Sequence, residues 1–257
     1  MVTQLFKRGS YFLGACAREV GANVMAANLY PFGFFNAALK AQKHSTLAVN
    51  PRPIILVHGI IHNRSAFVYL KLRMQKLGWE NIYPLNYSTF HGNVFYMVEQ
   101  LAEKVNEVMR VTGCDQVDIV AHSLGGIVSR TYMSLGEGRG RVKRLITLGT
   151  AHQGTALSFL AKGLSRGALD YDMKMKSFLL RLLENTALPN NSEVVSIYSA
   201  FDWTVVPSDN AIIRGQPESS FKNVKLDYLG HTGLLYSNEA FDVVTKEILS
   251  IETQRAD

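Results

Sequence analysis

The sequence predicts an α/β fold: a mostly parallel sheet of about six strands with helices on both faces. Two observations carry that prediction. From Ile54 onward, short β-branched runs alternate with longer amphipathic segments, which is the pattern of repeated β-α units. One of these runs, Val117–Ala121, passes through a single serine flanked by small residues straight into a helical pattern, with no connecting loop. The composition agrees, since 257 residues with 47% hydrophobic and 19% charged side chains suffice for one large core and are too apolar for a disordered chain.

Taken in chain order, residues 1–50 read as an N-terminal extension and 51–257 as the main domain. The extension holds an apolar segment, Tyr11–Ala41, interrupted at Pro31-Phe32-Gly33, which predicts two short helices joined by a turn. Two roles are open for it: packing on the domain, which is the favoured one, or contact with a membrane surface. Lys7 and Arg8 precede Tyr11–Ala15, and Leu13-Gly14-Ala15-Cys16 loosely resembles a lipoprotein cleavage box. The apolar run is at the bottom of the length range of a secretory leader, so a cleaved signal is disfavoured.

Strands are expected at Ile54–Val57, Asn81–Leu85, Val117–Ala121, Arg144–Leu148, Val194–Ser199 and Val224–Tyr228. Val94, Val98, Leu101, Val105 and Val108 recur at helical spacing across Val94–Arg110, and a last helix is expected over Glu239–Ile251. Between the fourth and fifth strands lies an insertion too long for an ordinary connection. It covers residues 155–190, with helices predicted at Leu157–Leu164 and Met173–Leu183, and is a candidate cap or lid.

The formal charge of +6 does not signal nucleic acid, because Lys and Arg are dispersed rather than clustered. The two cysteines, Cys16 and Cys114, do not support a disulfide framework. No stretch approaches the roughly 20 apolar residues of a spanning helix. A cytoplasmic location is slightly favoured over a secreted or membrane-associated one.

The chemistry centres on Ala121-His122-Ser123-Leu124-Gly125-Gly126. A nucleophile on a sharp strand-to-helix turn needs small neighbours two positions before and after it, where larger side chains would collide. Ala121 and Gly125 meet that need, although glycine is usual at the first place. An ordinary helix N-cap would explain Ser123 alone. It does not explain the residues that follow. The turn aims the N–H of Leu124 at an attacked carbonyl, and a second donor is expected from the loop after an earlier strand. In Val57-His58-Gly59-Ile60 that donor is the N–H of Ile60.

A serine needs a base, and the base an acid to orient it. In this architecture the chain order is nucleophile, acid, histidine, and of the seven histidines only His231 follows a plausible acid-bearing strand. His58 and His152 are expected to shape loops through hydrogen bonds, and His122 to point away from the nucleophile. Asp202 follows the fifth strand at the carboxyl edge of the sheet, where sites in open α/β folds are built. Asp209 is the alternative acid. Asp227 is set aside because it falls within a predicted strand.

These three motifs, with Ser196–Asp202 and Gly230-His231-Thr232-Gly233-Leu234-Leu235-Tyr236-Ser237 for acid and histidine, resemble those of the small Bacillus-type triacylglycerol lipases of the α/β-hydrolase superfamily. The resemblance spans about Pro53 to Ile248. It implies an esterase or lipase with catalytic Ser123, Asp202 and His231, no metal and no organic cofactor. The substrate would be a small-molecule or lipid ester. Those lipases are minimal and lack a lid, whereas this chain carries the insertion and the extension, and its Leu148–Thr155 segment is similar to a Thr-Pro-His-x-Gly segment of larger lipases. Met173, Met175, Phe178, Leu179 and Leu182 would either line an acyl tunnel or simply pack. Rival readings are a thioesterase or acyltransferase with the same triad, or a non-catalytic binding protein on the same scaffold.

Overall fold

The computed structural model describes residues 2–34, 52–217 and 220–253. Its centre is a six-stranded sheet of β1 (Ile54–Val57), β2 (Ile82–Pro84), β3 (Val117–His122), β4 (Val142–Leu148), β5 (Glu193–Ser199) and β6 (Phe221–Leu226). The strands lie in the order β2-β1-β3-β4-β5-β6, and every pairing is parallel. β1 and β3 are buried along their whole length because helices cover both faces, which is why these strands are continuous apolar runs.

Alternation along each strand divides the core in two. Ile55, Val57, Ile119 and Ala121 face α3 (Val94–Thr112) and α4 (Leu124–Leu135). Ile54, Leu56, Val120 and Ile146 face α2 (Val68–Lys76), α7 (Gly233–Tyr236) and α8 (Asn238–Thr253). Asn93 caps α3 by accepting from Tyr96 N–H, and Gly113 ends it in the left-handed conformation at φ 70°, the usual punctuation at both ends of a helix.

The expected strands all form, with two informative shifts. β2 is shorter than Asn81–Leu85 and sits at the sheet edge, where Pro84, which has no N–H to donate, is tolerated. The last strand begins at Phe221 and stops at Leu226 rather than running to Tyr228, because Tyr228 turns to φ 58°. At the amino terminus one helix, α1 (Val2–Leu29), precedes a 3₁₀ turn at Tyr30–Phe34. The second helix expected before Ala41 lies outside the described residues. No described helix is long and apolar enough to cross a membrane.

The insertion departs furthest from expectation. Leu157–Leu164 forms only a short 3₁₀ turn at Ser158–Ala161, and Met173–Leu183 is two helices, α5 (Ala168–Met173) and α6 (Phe178–Asn185). The break between them is set by Lys176 at φ 59° and by the Ser177 hydroxyl, which accepts from Leu180 N–H and starts α6. Periodicity does not register either device. Met173 and Leu179 are buried in the core while Met175, Phe178 and Leu182 are exposed, so the five residues do not share one wall.

Several polar contacts anchor this insertion. Asp172 accepts from Val94 N–H at 3.0 Å, and Thr155 Oγ1 donates to Thr204 O at 2.8 Å. Arg130 on α4, 2% exposed, donates from Nη2 to Leu183 O at 3.0 Å, meeting a carbonyl in the last turn of α6 that the helix itself leaves open. Burial lowers the Arg130 pKa to about 10, against the pull of Glu184, so the guanidinium stays charged at neutral pH. Arg130→Met keeps the stem's volume but strands the Leu183 carbonyl. A loss of about 1–3 kcal/mol is expected, read by urea denaturation, together with faster proteolysis within residues 174–188.

Candidate active site

Ser123 occupies the junction of β3 and α4 at φ 54°, ψ −125°, a conformation that costs a non-glycine residue energy and persists only where the surroundings enforce it. They do so here from three sides. Its N–H donates to Leu148 O at 2.9 Å, its carbonyl accepts from Gly126 N–H at 3.0 Å, and the Thr150 hydroxyl donates to the same carbonyl at 2.9 Å. The small residues of the motif are required for a somewhat different reason than collision across the turn. A Cβ at Gly125 would lie 2.4 Å from Val57 O and 2.5 Å from His58 O, and one at Gly126 would lie 2.0 Å from Thr150 Oγ1. The first turn of α4 is therefore pressed against the carboxyl end of β1.

That approach sets Leu124 N–H beside the His58-Gly59-Ile60 loop. Among the described residues neither Leu124 N–H nor Ile60 N–H has a protein acceptor. The loop is braced by Tyr87, whose hydroxyl donates to His58 O at 2.6 Å and whose ring stacks on the His58 imidazole at 4.3 Å. His58 Nδ1 lies 2.9 Å from Gly59 O, which assigns the proton to Nδ1. Burial lowers its pKa to about 4. Beyond Ile60, Ile61 sits at φ 56° and donates its N–H to Thr89 Oγ1 at 3.1 Å, so strain is concentrated in this loop as well as at Ser123.

Asp202 is 3% exposed. Its Oδ1 accepts from Thr204 N–H at 2.9 Å and Val205 N–H at 3.1 Å, leaving Oδ2 for His231 Nδ1 at 2.8 Å. Asp209 and Asp227 are exposed and make no contact with His231. A Cβ at Gly149 would lie 2.8 Å from Asp202 Oδ2 and 3.1 Å from His231 Nδ1. Glycine thus makes room for the pair, one residue after the carbonyl that receives Ser123 N–H. Burial opposes a charge on His231, but the Asp202 carboxylate, by charge and by hydrogen bond, and Glu19, by charge, outweigh it and raise its pKa above the ordinary 6.5. No hydrogen bond joins the Ser123 hydroxyl to His231 among the described residues; such contacts are commonly long until substrate arrives.

His122 braces the loop that carries His231. Its Nε2 lies 3.1 Å from His231 O, so it holds the main chain of the histidine loop from below. His152 does bind within its neighbourhood, with Nε2 3.0 Å from Thr147 Oγ1. The motifs assigned no role in the site to Gly149, Thr150, Tyr87 or Glu19, and none of this kind to His122. His122 stood inside the nucleophile motif, Gly149 and Thr150 in Leu148–Thr155 and Glu19 in Tyr11–Ala41, while Tyr87 stood in no segment the sequence singled out. Among the described residues no three His, Cys, Asp or Glu side chains form a group able to hold a metal ion.

A parallel sheet covered on both faces, with serine at the elbow after its third strand, defines the α/β-hydrolase fold. The chain belongs to the family of the PGAP1-like alpha/beta domain, whose model matches residues 84–225, more than half of its length. Solved structures share the architecture. A Bacillus licheniformis lipase, BlEst2 in mature form, superposes with TM-score 0.64 at 18% identity, covering 80% of this chain and 96% of that one. Aspergillus fumigatus lipase B gives 0.63 at 17%, covering 83% and 57%, and a Paleococcus ferrophilus monoacylglycerol lipase 0.58 at 13%, covering 77% and 96%. At these identities the likeness is one of fold, and it bears out the fold expected from the motifs.

Gly125→Ala tests the packing at the elbow. The new Cβ meets backbone oxygens that cannot rotate aside, so a loss of about 1–3 kcal/mol is expected in urea unfolding. Gly163→Ala, where a Cβ meets nothing within 4 Å, should change stability by less than about 0.5 kcal/mol.

Proposed function

We propose that the protein is a serine hydrolase of carboxylic esters, acting through Ser123, His231 and Asp202. The observation that carries this reading is the 2.8 Å contact between His231 Nδ1 and Asp202 Oδ2, made at the same edge of the sheet as a serine held at φ 54°. In the proposed reaction His231 Nε2 takes the Ser123 proton as Oγ attacks the ester carbonyl, and the N–H groups of Ile60 and Leu124 receive the oxyanion. The alcohol leaves with the proton from His231. Water, deprotonated by the same imidazole, then cleaves the acyl-enzyme and restores the serine. Neither the acyl-enzyme nor any step requires a metal or organic cofactor. The similarity in fold to lipases supports esters ahead of thioesters and amides.

Residues 155–190 would form a fixed wall beside the site rather than a mobile lid, a reading supported by the anchors at Asp172, Thr155 and Arg130. A series of p-nitrophenyl esters of rising chain length, with thioester and amide analogues, tests the activity directly. Turnover of esters should exceed that of the analogues, and Ser123→Ala should lose it by at least about a thousandfold. Because His231 must be neutral to act and its pKa is raised, kcat/KM should fall with decreasing pH along a limb lying above 6.5. A rate unchanged between about pH 8 and pH 5 would count against His231.

The substrate reading extends to a lipid surface. Leu13, Val20 and Val24 are 69%, 64% and 56% exposed and recur at helical spacing on the face of α1 opposite Ala15 and Ala22, which are buried. This apolar stripe, with the formal charge of +6, suits the interface of an anionic bilayer. Vesicles of phosphatidylcholine with phosphatidylglycerol should retain the wild type, and the triple variant Leu13→Ser, Val20→Ser, Val24→Ser should be lost from the vesicle pellet.

A further inference from the structure

The loop that carries His231 is gripped from outside the catalytic domain. Glu19 of α1 accepts from Thr232 N–H at 2.9 Å through Oε1 and from Gly233 N–H at 2.7 Å through Oε2, across more than two hundred residues of sequence. Those N–H groups open α7, whose N-cap Thr232 makes no side-chain cap of its own. The Thr232 hydroxyl donates instead to Asn23 Oδ1 at 3.0 Å. Asn23 Nδ2 in turn donates to Glu19 Oε1 at 3.2 Å, so the carboxylate is itself held in place.

Two further contacts extend the grip to the start of the loop. Arg18 Nη2 donates to Tyr228 O at 2.9 Å, and Tyr11 stacks on the Tyr228 ring at 5.1 Å. The approach depends on glycine, since a Cβ at Gly230 would lie 2.2 Å from Glu19 Oε2. Residues 228–233 are therefore bound to α1 on both sides of His231, while His122 takes the His231 carbonyl from beneath. A charge-assisted pair of backbone contacts of this kind is stronger than neutral hydrogen bonds.

We propose that Glu19 is a positioning residue for His231, and that α1 is thereby an integral part of the catalytic site rather than an appendage to it. The proposal rests on the reading of His231 as the base. The groups facing that imidazole are Asp202 from the loop after β5, Glu19 from α1, His122 from β3 and His62 from the loop after β1. Only Asp202 and Glu19 carry negative charge. Removing the Glu19 charge weakens the hold of His231 on a proton, so the imidazole becomes neutral at lower pH.

The test compares wild type, Glu19→Gln and Glu19→Ala as full chains, by kcat and KM on a p-nitrophenyl ester across pH and by fluorophosphonate labelling of Ser123. Glu19→Ala should lower kcat by roughly ten- to a hundredfold with KM nearly unchanged, the signature of a misplaced catalytic group. Glu19→Gln should move the acid limb of kcat/KM to lower pH, which a merely structural contact would not do. Should Glu19→Ala fail to fold, Gly230→Ala displaces the same carboxylate from the other side and should show the same loss in kcat. Variants that match wild type in both kcat and acid limb overturn the proposal while leaving the triad standing. A wild type that neither turns over esters nor labels at Ser123 overturns both.

Discussion

The site hangs on one steric constraint, the contact between the first turn of α4 and the carboxyl end of β1. No side chain fits at position 125, where a Cβ would meet the carbonyl oxygens of Val57 and His58 at 2.4 and 2.5 Å. Because glycine allows that approach, the chain leaving β3 must reverse within one residue, and Ser123 takes the positive φ that results. The strain, of order 1–3 kcal/mol, is sustained by bonds to β4 and the segment after it: Ser123 N–H to Leu148 O and Thr150 Oγ1 to Ser123 O. β1, β3 and β4 thus converge on a single residue. The same contact brings Leu124 N–H and the Ile60 loop together, so the proposed oxyanion donors follow from the packing of a glycine rather than from their own side chains.

What was legible in the sequence follows from where the information is local. β1 and β3 are buried on both faces, so their apolar runs mark them almost to the residue, and α3 declares itself through Val94, Leu101, Val105 and Val108, each fully buried. Ser123, Asp202 and His231 could be picked out as candidates because each sits in a short motif near a strand end. The insertion resisted because its helices are set by Lys176 and by the Ser177 cap, single-residue devices inside an apolar stretch that reads as one helix. Glu19, Tyr87 and His122 resisted for a different reason. Their contacts join residues from 29 to 214 positions apart, and nothing in the neighbourhood of either partner encodes such a pairing.

The amino-terminal helix illustrates how one element serves two surfaces. On its inward face, Ala15 and Ala22 are small enough to let the helix lie close, 3% and 7% exposed, and Glu19 between them reaches the histidine loop. Its outward face presents the exposed stripe of Leu13, Val20 and Val24. A helix whose polar contacts are spent on the domain, with apolar residues turned to solvent, reverses the usual arrangement of a surface helix. The inversion makes sense if the outward face is covered when the protein works, and it would place the element that orients His231 directly against whatever covers it.

The remaining histidines show why a single imidazole is suited to the proposed role of base. His58 and His62 have their pKa lowered to about 4, in each case chiefly by burial. His122 and His152 are also lowered by burial, with neighbouring imidazoles adding to the effect at His122 and the Arg130 guanidinium at His152. At neutral pH all four are uncharged and serve as hydrogen-bonding or stacking groups. His231, largely buried beside the same cluster, moves in the opposite direction, because Asp202 and Glu19 place negative charge beside it, where the others meet imidazoles or, at His152, the Arg130 guanidinium. Environments that push like groups apart in proton affinity are how a fold assigns acid and base roles. Here the proposed assignment depends on two carboxylates distant in the chain, so the proposed base and the amino-terminal helix cannot be understood separately.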